Sequence, residues 1–228
     1  MSNGLIVLLI LVAVAVGWTV TVFNRLVRTR NRMNNAYAQI DVQLKRRHDL
    51  VPNLVNTARG YLKHERQTLE GVTLARQRAS DARQAVAGSF GKGDVGGGAS
   101  GGVGGGASGG ARGGASGGGA GKIELLEALD RAEAGLNIAL GKFSMVVEAY
   151  PELKADQTIM QLSEELTSTE NRIGFSRQAF NDSVNLYNDT IGQFPDSLVA
   201  TACGFTAAGQ LRSTTKASER APVMVNLS

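Results

Sequence analysis

Cysteine, histidine and proline are nearly missing from this chain of 228 residues, which has one, two and four of them. A single cysteine, Cys203, excludes a disulfide scaffold and a cysteine-built zinc site. It reads as a small apolar packing residue beside Ala202 and Phe205 rather than a nucleophile, because neither histidine lies near it in sequence. His48 and His64 leave little for a histidine-based metal or acid–base site, and no HExxH, CxxC or pair of histidines one helical turn apart occurs. The chain therefore reads as non-enzymatic: no catalytic residue, no cofactor-binding residue and no metal ligand is expected, and no cofactor.

Charge is missing from the first 24 residues. Leu5 to Phe23 reads LIVLLILVAVAVGWTVTVF, 19 residues that cover ~28 Å as a helix, close to the ~30 Å hydrocarbon core of a bilayer. A cleaved signal peptide would need a basic start and a small-residue cleavage site, but MSNG is uncharged and no A-x-A pattern precedes Arg25. A buried soluble helix of this length would need a larger domain around it than the remaining chain supplies. Residues 1–24 are thus expected to be a retained transmembrane helix. Arg25, Arg28, Arg30 and Arg32 follow it before the first acid, Asp41. Lys and Arg are held on the cytoplasmic side, so the N-terminus should lie outside and the body in the cytoplasm. The four arginines should then contact lipid headgroups, with Trp18 and Phe23 near them. They lack interleaved aromatics and abut a span, which favours headgroups over nucleic acid.

Glycine is abundant in one place: 19 of 29 fall between Gly88 and Gly121. Residues 95–102 and 103–110 both read VGGGASGG, and 111–118 reads ARGGASGG. With no apolar face and the largest backbone entropy cost on ordering, residues 88–121 read as a low-complexity linker of ~30 Å root-mean-square span. Gly91 to Gly96 matches GxGxxG, but no strand precedes it and no helix starts at it, so no dinucleotide site follows.

Elsewhere apolar residues recur at helical spacing. Over residues 25–87, Ile40, Leu44, Val51, Leu54, Ala58, Leu62, Leu69 and Val72 stand in steps of three, four and seven, with Arg47 and Glu65 at interrupted stripe positions. This predicts a long first helix, kinked or restarted near Leu50 by Pro52 and ~95 Å long if continuous. Such an arm needs partners, within the chain or in another copy. Residues 122–211 hold a second helix from Lys122 to Tyr150, stopped by Pro151, and a third with a heptad seam. That seam runs through Ile159, Leu162, Leu166, Thr169, Ile173, Ser176, Phe180, Ser183, Tyr187, Ile191 and Phe194. A short helix lies within 196–211, and residues 212–228 form a loosely held tail. The expected fold is all-α: an N-terminal transmembrane helix leading into an elongated antiparallel three-helix bundle, with a Gly-rich inter-helix loop and a short C-terminal helix.

Residues 25–87 carry a net charge of +8 and residues 122–228 a net of −5, so the two parts should lie side by side. Arg46, Arg47, His48 and Asp49 read either as a solvated face or as an interhelical clamp for acids such as Glu165 and Glu170. Glu170, Asn171 and Arg172, beside seam residue Thr169, suggest a polar crosslink within the bundle. The acids Glu124, Glu127, Asp130 and Glu133 read as favourable charges at the start of the second helix.

The stretch VQLKRRHDLVPNLVNTARGYLKHERQTLEGVTLAR (42–76), the block from Glu148 to Ala200 that opens EAYPELKADQ, and the late Gly204-Phe205 and Ala221-Pro222-Val223 resemble the bacterial LemA family. Matching positions include Arg46, Arg47, Asp49, Pro52, Asn53, Tyr150, Pro151, Glu170, Asn171, Arg172, Asn181 and Pro195. The resemblance implies a single-pass inner-membrane protein, N-terminus outside, with a long-helix cytoplasmic bundle; it carries over no catalytic residue. The Gly-rich insertion departs from the family's usual short connection. Together these readings lead to a membrane-anchored, self-associating helical scaffold that organises or remodels membrane, with membrane lipids and further copies as partners and no nucleic acid. The competing reading is an adaptor or regulator that presents its bundle to another membrane protein, such as a protease or sensor kinase.

Overall fold

A computed structural model describes residues 2–62, 65–91 and 118–211. The octapeptide repeats, His64 and the tail from residue 212 lie outside the described residues, apart from the last repeat position, Gly118. The expectations of a linker at 92–117 and of a loose tail therefore fall outside them too. The described residues form six helices and no strand: α1 (Ser2–Arg59), α2 (Arg66–Gly91), α3 (Gly118–Ala149), α4 (Pro151–Lys154), α5 (Gln157–Gly192) and α6 (Asp196–Ala202). Helix thus reaches into both ends of the segment expected to be linker.

The first helix expected over 25–87 is in fact two. α1 stops at Arg59, where the backbone N–H groups of Tyr61 and Leu62 both donate to the Ala58 carbonyl at 3.0 and 2.9 Å. Leu62 turns inward and is buried. α2 then runs back along α1, pairing Arg83 with Asp41 at 2.8 Å and Arg76 with the His48 carbonyl at 3.0 Å. A straight arm would leave Leu69, Val72 and Val86 in water. Folding back buries them, at about 1.5–3 kcal/mol for each such side chain. Four long helices consequently stand side by side, not three. α1 leads away from its apolar start, α2 returns, α3 leads away and α5 returns. α1 packs on α5 and α2, and α2 packs on α3.

Pro52 does not restart the helix, because α1 continues through it. Proline lacks the N–H that would bond the carbonyl four residues earlier. That carbonyl belongs to His48, and the Arg76 Nε–H takes it over from α2. The proline thereby helps tie α2 to α1.

The hinge from α4 into α5 is set by Asp156, whose Oδ1 accepts from the backbone N–H groups of Thr158 and Ile159 at 2.8 and 3.1 Å. Its Oδ2 accepts from the Tyr61 hydroxyl at 3.0 Å, fastening the α1 end to the α5 start. These bonds, the Ile159 N–H foremost, hold the Asp156 carboxyl below its ordinary range. At the other end of α5, α6 closes with Gly204 at φ +73°, which lets the Phe205 N–H reach the Ala200 carbonyl at 2.9 Å and the Gly204 N–H reach Thr201 at 3.2 Å. Cys203 sits in this cap and is exposed, not packed as expected. The chain then runs back along α5 as a strap. Asn188 brackets the Ala208 backbone with two bonds of 3.0 and 2.9 Å, and Asn181 brackets Leu211 with two of 2.7 and 2.9 Å. The asparagines are seven residues apart, so both face the strap. Gly209 passes so close to α3 that a Cβ there would meet Ile123 Cγ1 at 2.7 Å.

Two predictions follow from these junctions. Asn181→Ala removes both bonds to Leu211 and should destabilise by about 1–3 kcal/mol in thermal unfolding, with faster amide exchange at the strap. The Asp156 carboxyl has a lowered pKa in the folded state, so its contribution is present above the ordinary carboxylate pKa and lost as pH falls through the lowered value. The melting-temperature gap between wild type and Asp156→Ala should therefore narrow as pH drops from about 5 to about 3. A gap independent of pH would contradict that cap.

Candidate functional site

A buried polar layer separates two of the apolar cores. On the side nearer the N-terminal helix start, Tyr37, Ile40 and Leu44 of α1 meet Val86, Leu126, Leu129, Ile173 and Phe180. Beyond the layer, Val51, Leu54 and Ala58 meet Leu69, Val72, Leu136, Phe143 and Ile159. Between them lie Arg47, His48 and Glu133, exposed by only 4%, 2% and 1%.

The geometry is closed on itself. Glu133 Oε1 lies 2.8 Å from His48 Nε2, and Oε2 accepts from Arg47 Nη1 at 3.1 Å. The same Arg47 Nη1 is 2.9 Å from Glu170 Oε2 on α5. Arg47 Nη2 donates to Asn137 Oδ1, and Asn137 Nδ2 donates to Glu170 Oε1 at 3.4 Å. His48 faces the carboxylate through Nε2, and its buried Nδ1 has no hydrogen-bond partner. One arginine of α1 thus joins α3 and α5, while Arg46 adds an exposed bridge to Glu165 at 2.9 Å. Just outside, α3 and α5 diverge over a groove of about 380 Å³ lined by Leu54, Leu140, Phe143, Val147 and Leu166, with Arg47, Asn137 and Glu170 at its polar edge. Apart from His48 Nδ1, the buried layer atoms named here are spent on one another, so the layer suits fixed positioning of helices. Among the described residues no group of three or more His, Cys, Asp or Glu side chains could hold a metal ion.

The structure divides the residues singled out from the sequence. Arg46 and Arg47 do reach Glu165 and Glu170, as an interhelical clamp would. Asp49 and Asn53 are exposed, and Pro52 acts through the His48 carbonyl. Of the Glu170, Asn171 and Arg172 trio only Glu170 joins the layer; Asn171 lines the groove and Arg172 is exposed. Arg25 pairs with Asp196 at 3.2 Å, Arg28 and Arg32 are exposed, and Arg30 is half-buried near Tyr187. The sequence reading placed His48 in the clamp run but missed Glu133, the acid it meets. α3 begins at Gly118, so Glu133 lies well inside it and not at a favourable helix start. The signal was present: Glu133 shares the helical phase of Leu126, Leu129, Leu136 and Leu140, all on the apolar stripe.

These helices can now be set beside known proteins. The LemA family profile matches residues 36–226, most of the chain. The chain belongs to the LemA family. Among LemA relatives, the Magnetosome protein MamQ of Magnetospirillum gryphiswaldense is 34% identical over 79 residues, 35% of this chain and 29% of that protein. Magnetosome proteins MamQ 2 and MamQ 1 of Paramagnetospirillum magneticum are each 33% identical over 82 residues, 36% of this chain and 30% of theirs. The chain thus spans less than a third of the length of these relatives. In this LemA member one described helix is long and apolar enough to cross a membrane, and its most apolar window is 6% buried. The apolar helix and the relatives together suggest a membrane anchor.

Removing one partner of a buried ion pair leaves an uncompensated charge, which costs about 3–5 kcal/mol. Glu133→Ala should therefore lower the unfolding free energy by that amount, read by chemical denaturation of the full chain. The exposed Arg46→Ala should cost less than about 1 kcal/mol. Equal effects of the two substitutions would contradict the buried layer.

Proposed function

We propose that this LemA member is a non-enzymatic, membrane-anchored helical scaffold that self-associates at the cytoplasmic face of the bacterial inner membrane and organises or remodels it. The reading rests on one observation above others: an apolar helix of membrane-spanning length continues without a break into a bundle crossed by a buried ionic layer. A rigid rod rooted in a bilayer transmits orientation to whatever it touches. Arg25, Arg28, Arg30 and Arg32 just beyond the apolar run favour a cytoplasmic body.

Self-association draws its support from the α2–α3 face. The fold-back of α2 satisfies the long arm within the chain, so arm length no longer calls for a second copy. Leu74, Ile138 and Met145 nevertheless remain 53%, 64% and 71% exposed. Leu74 and Ile138 share a groove of about 540 Å³ with Gly71, Ala75, Ala132, Gly135 and Ala139, small residues that let another helix approach closely, and with Arg78, Arg131 and Lys142. The same face would serve the alternative, an adaptor offering its bundle to another membrane protein such as a protease or sensor kinase.

In detergent or nanodiscs the full chain should form oligomers by crosslinking and light scattering, and Leu74→Lys with Ile138→Glu should shift them toward monomer while leaving helicity unchanged. A monomer at every concentration would refute self-association. A photocrosslinker at Ile138 that captures one heterologous membrane protein and no second copy would favour the adaptor.

A further inference from the structure

We infer that the corner between α5 and α6 is a second membrane contact, in which Phe194 and Leu198 dip into the lipid interface beside the transmembrane helix. This rests on the membrane reading above. α5 runs antiparallel to α1, as the contacts show: Tyr61 bonds Asp156, Arg46 pairs with Glu165, Tyr37 packs on Phe180 and Arg25 pairs with Asp196. Each step back along α1 is a step forward along α5, so α5 delivers its C-terminal end to the level at which the apolar run gives way to arginine.

α6 is fastened at that level. Val199 and Ala200 pack against Val22 and Leu26, and Phe205 meets Phe23 edge-on with ring centroids 5.9 Å apart. Val22 and Phe23 are the last two residues of the uncharged apolar run. Phe194 and Leu198, by contrast, turn outward and are 80% and 62% exposed. A large aromatic and a leucine left bare are unfavourable in water and suited to the headgroup–acyl boundary. Trp18 and Phe23 are exposed at the same end. The charges agree with an anionic surface: Arg28 and Arg32 are exposed, and the acid nearest the corner, Asp196, is covered by Arg25. A helix that crosses a bilayer alone can swivel and tilt; a corner held in the interface beside it fixes the bundle's attitude to the membrane.

The test uses the full-length protein in vesicles of phosphatidylcholine and phosphatidylglycerol, with and without phosphatidylcholine brominated near the headgroup end of its chains. Phe194→Trp and Leu198→Trp are each made in a Trp18→Phe background, with Phe175→Trp as the control, since Phe175 is 74% exposed on α5 far from the corner. Both corner positions tolerate an indole because neither packs inside. The inference predicts that brominated lipid quenches the indoles introduced by F194W and L198W to about the extent that it quenches native Trp18, and leaves that introduced by F175W unaffected. Quenching of Trp18 with none at either corner position would overturn the second contact and leave the span intact. No quenching of wild-type Trp18 would overturn the span and the contact together.

Discussion

Glu133 is a carboxylate buried between two apolar cores, and the rest of the bundle is arranged around that fact. A charge in a protein interior costs several kcal/mol unless it is paired and hydrogen-bonded. Here both oxygens are used, one by His48 and one by Arg47, and Arg47 in turn reaches Asn137 and Glu170. The pairing draws α1, α3 and α5 to one height. A slip of any of them by one helical turn would strand a charge between two apolar cores. Burial of Leu, Val and Phe above and below supplies the cohesion, but such contacts are non-directional and tolerate sliding. The polar layer contributes register.

The same logic extends outward. The His48 carbonyl, freed by Pro52, holds Arg76 and with it α2. Asp156 ties the far turn of α1 to the start of α5, and Asn181 and Asn188 bind the strap that covers the opposite end. Fixed points therefore occur at the middle and at both ends, and the apolar start of α1 leaves the body as a continuation of one locked helix. A LemA member built in this way holds a defined arrangement of its helices.

Much of the fold was legible because helical stripes are a local signal. The apolar run, the second and third long helices and the short one after Pro195 all follow from spacing and breakers. The turn at Gly60 was not legible, because Leu62 and Leu69 keep the phase of the stripe across it, so the pattern reads as unbroken while the chain reverses. Arg47 announced itself by interrupting a stripe. Glu133 did so equally, yet its neighbours Glu124, Glu127 and Asp130 made it look like one of a run of helix-start acids. Asn181 stood among the family-matching positions, but the clamp role of Asn181 and Asn188 was not legible: their partners are backbone atoms of the strap, which carry no sequence signature. Cys203 looked apolar by its neighbours, but it sits in a helix cap whose geometry is dictated by Gly204.

The central claim is that the ionic layer sets register, and it is tested most directly by replacing the layer as a whole with apolar residues of similar size. In the triple variant Arg47→Met, His48→Leu, Glu133→Leu, burial is kept and charge is removed. Spin labels at exposed positions Val42 and Phe175 report the relation of α1 to α5 by pulsed electron–electron distance measurement in membranes. The account predicts one narrow distance in the wild-type bundle and a broadened or multiple distribution in the variant, at similar or greater overall stability. A variant that retains the same single narrow distance would contradict it, and would return the specification of this fold to packing alone.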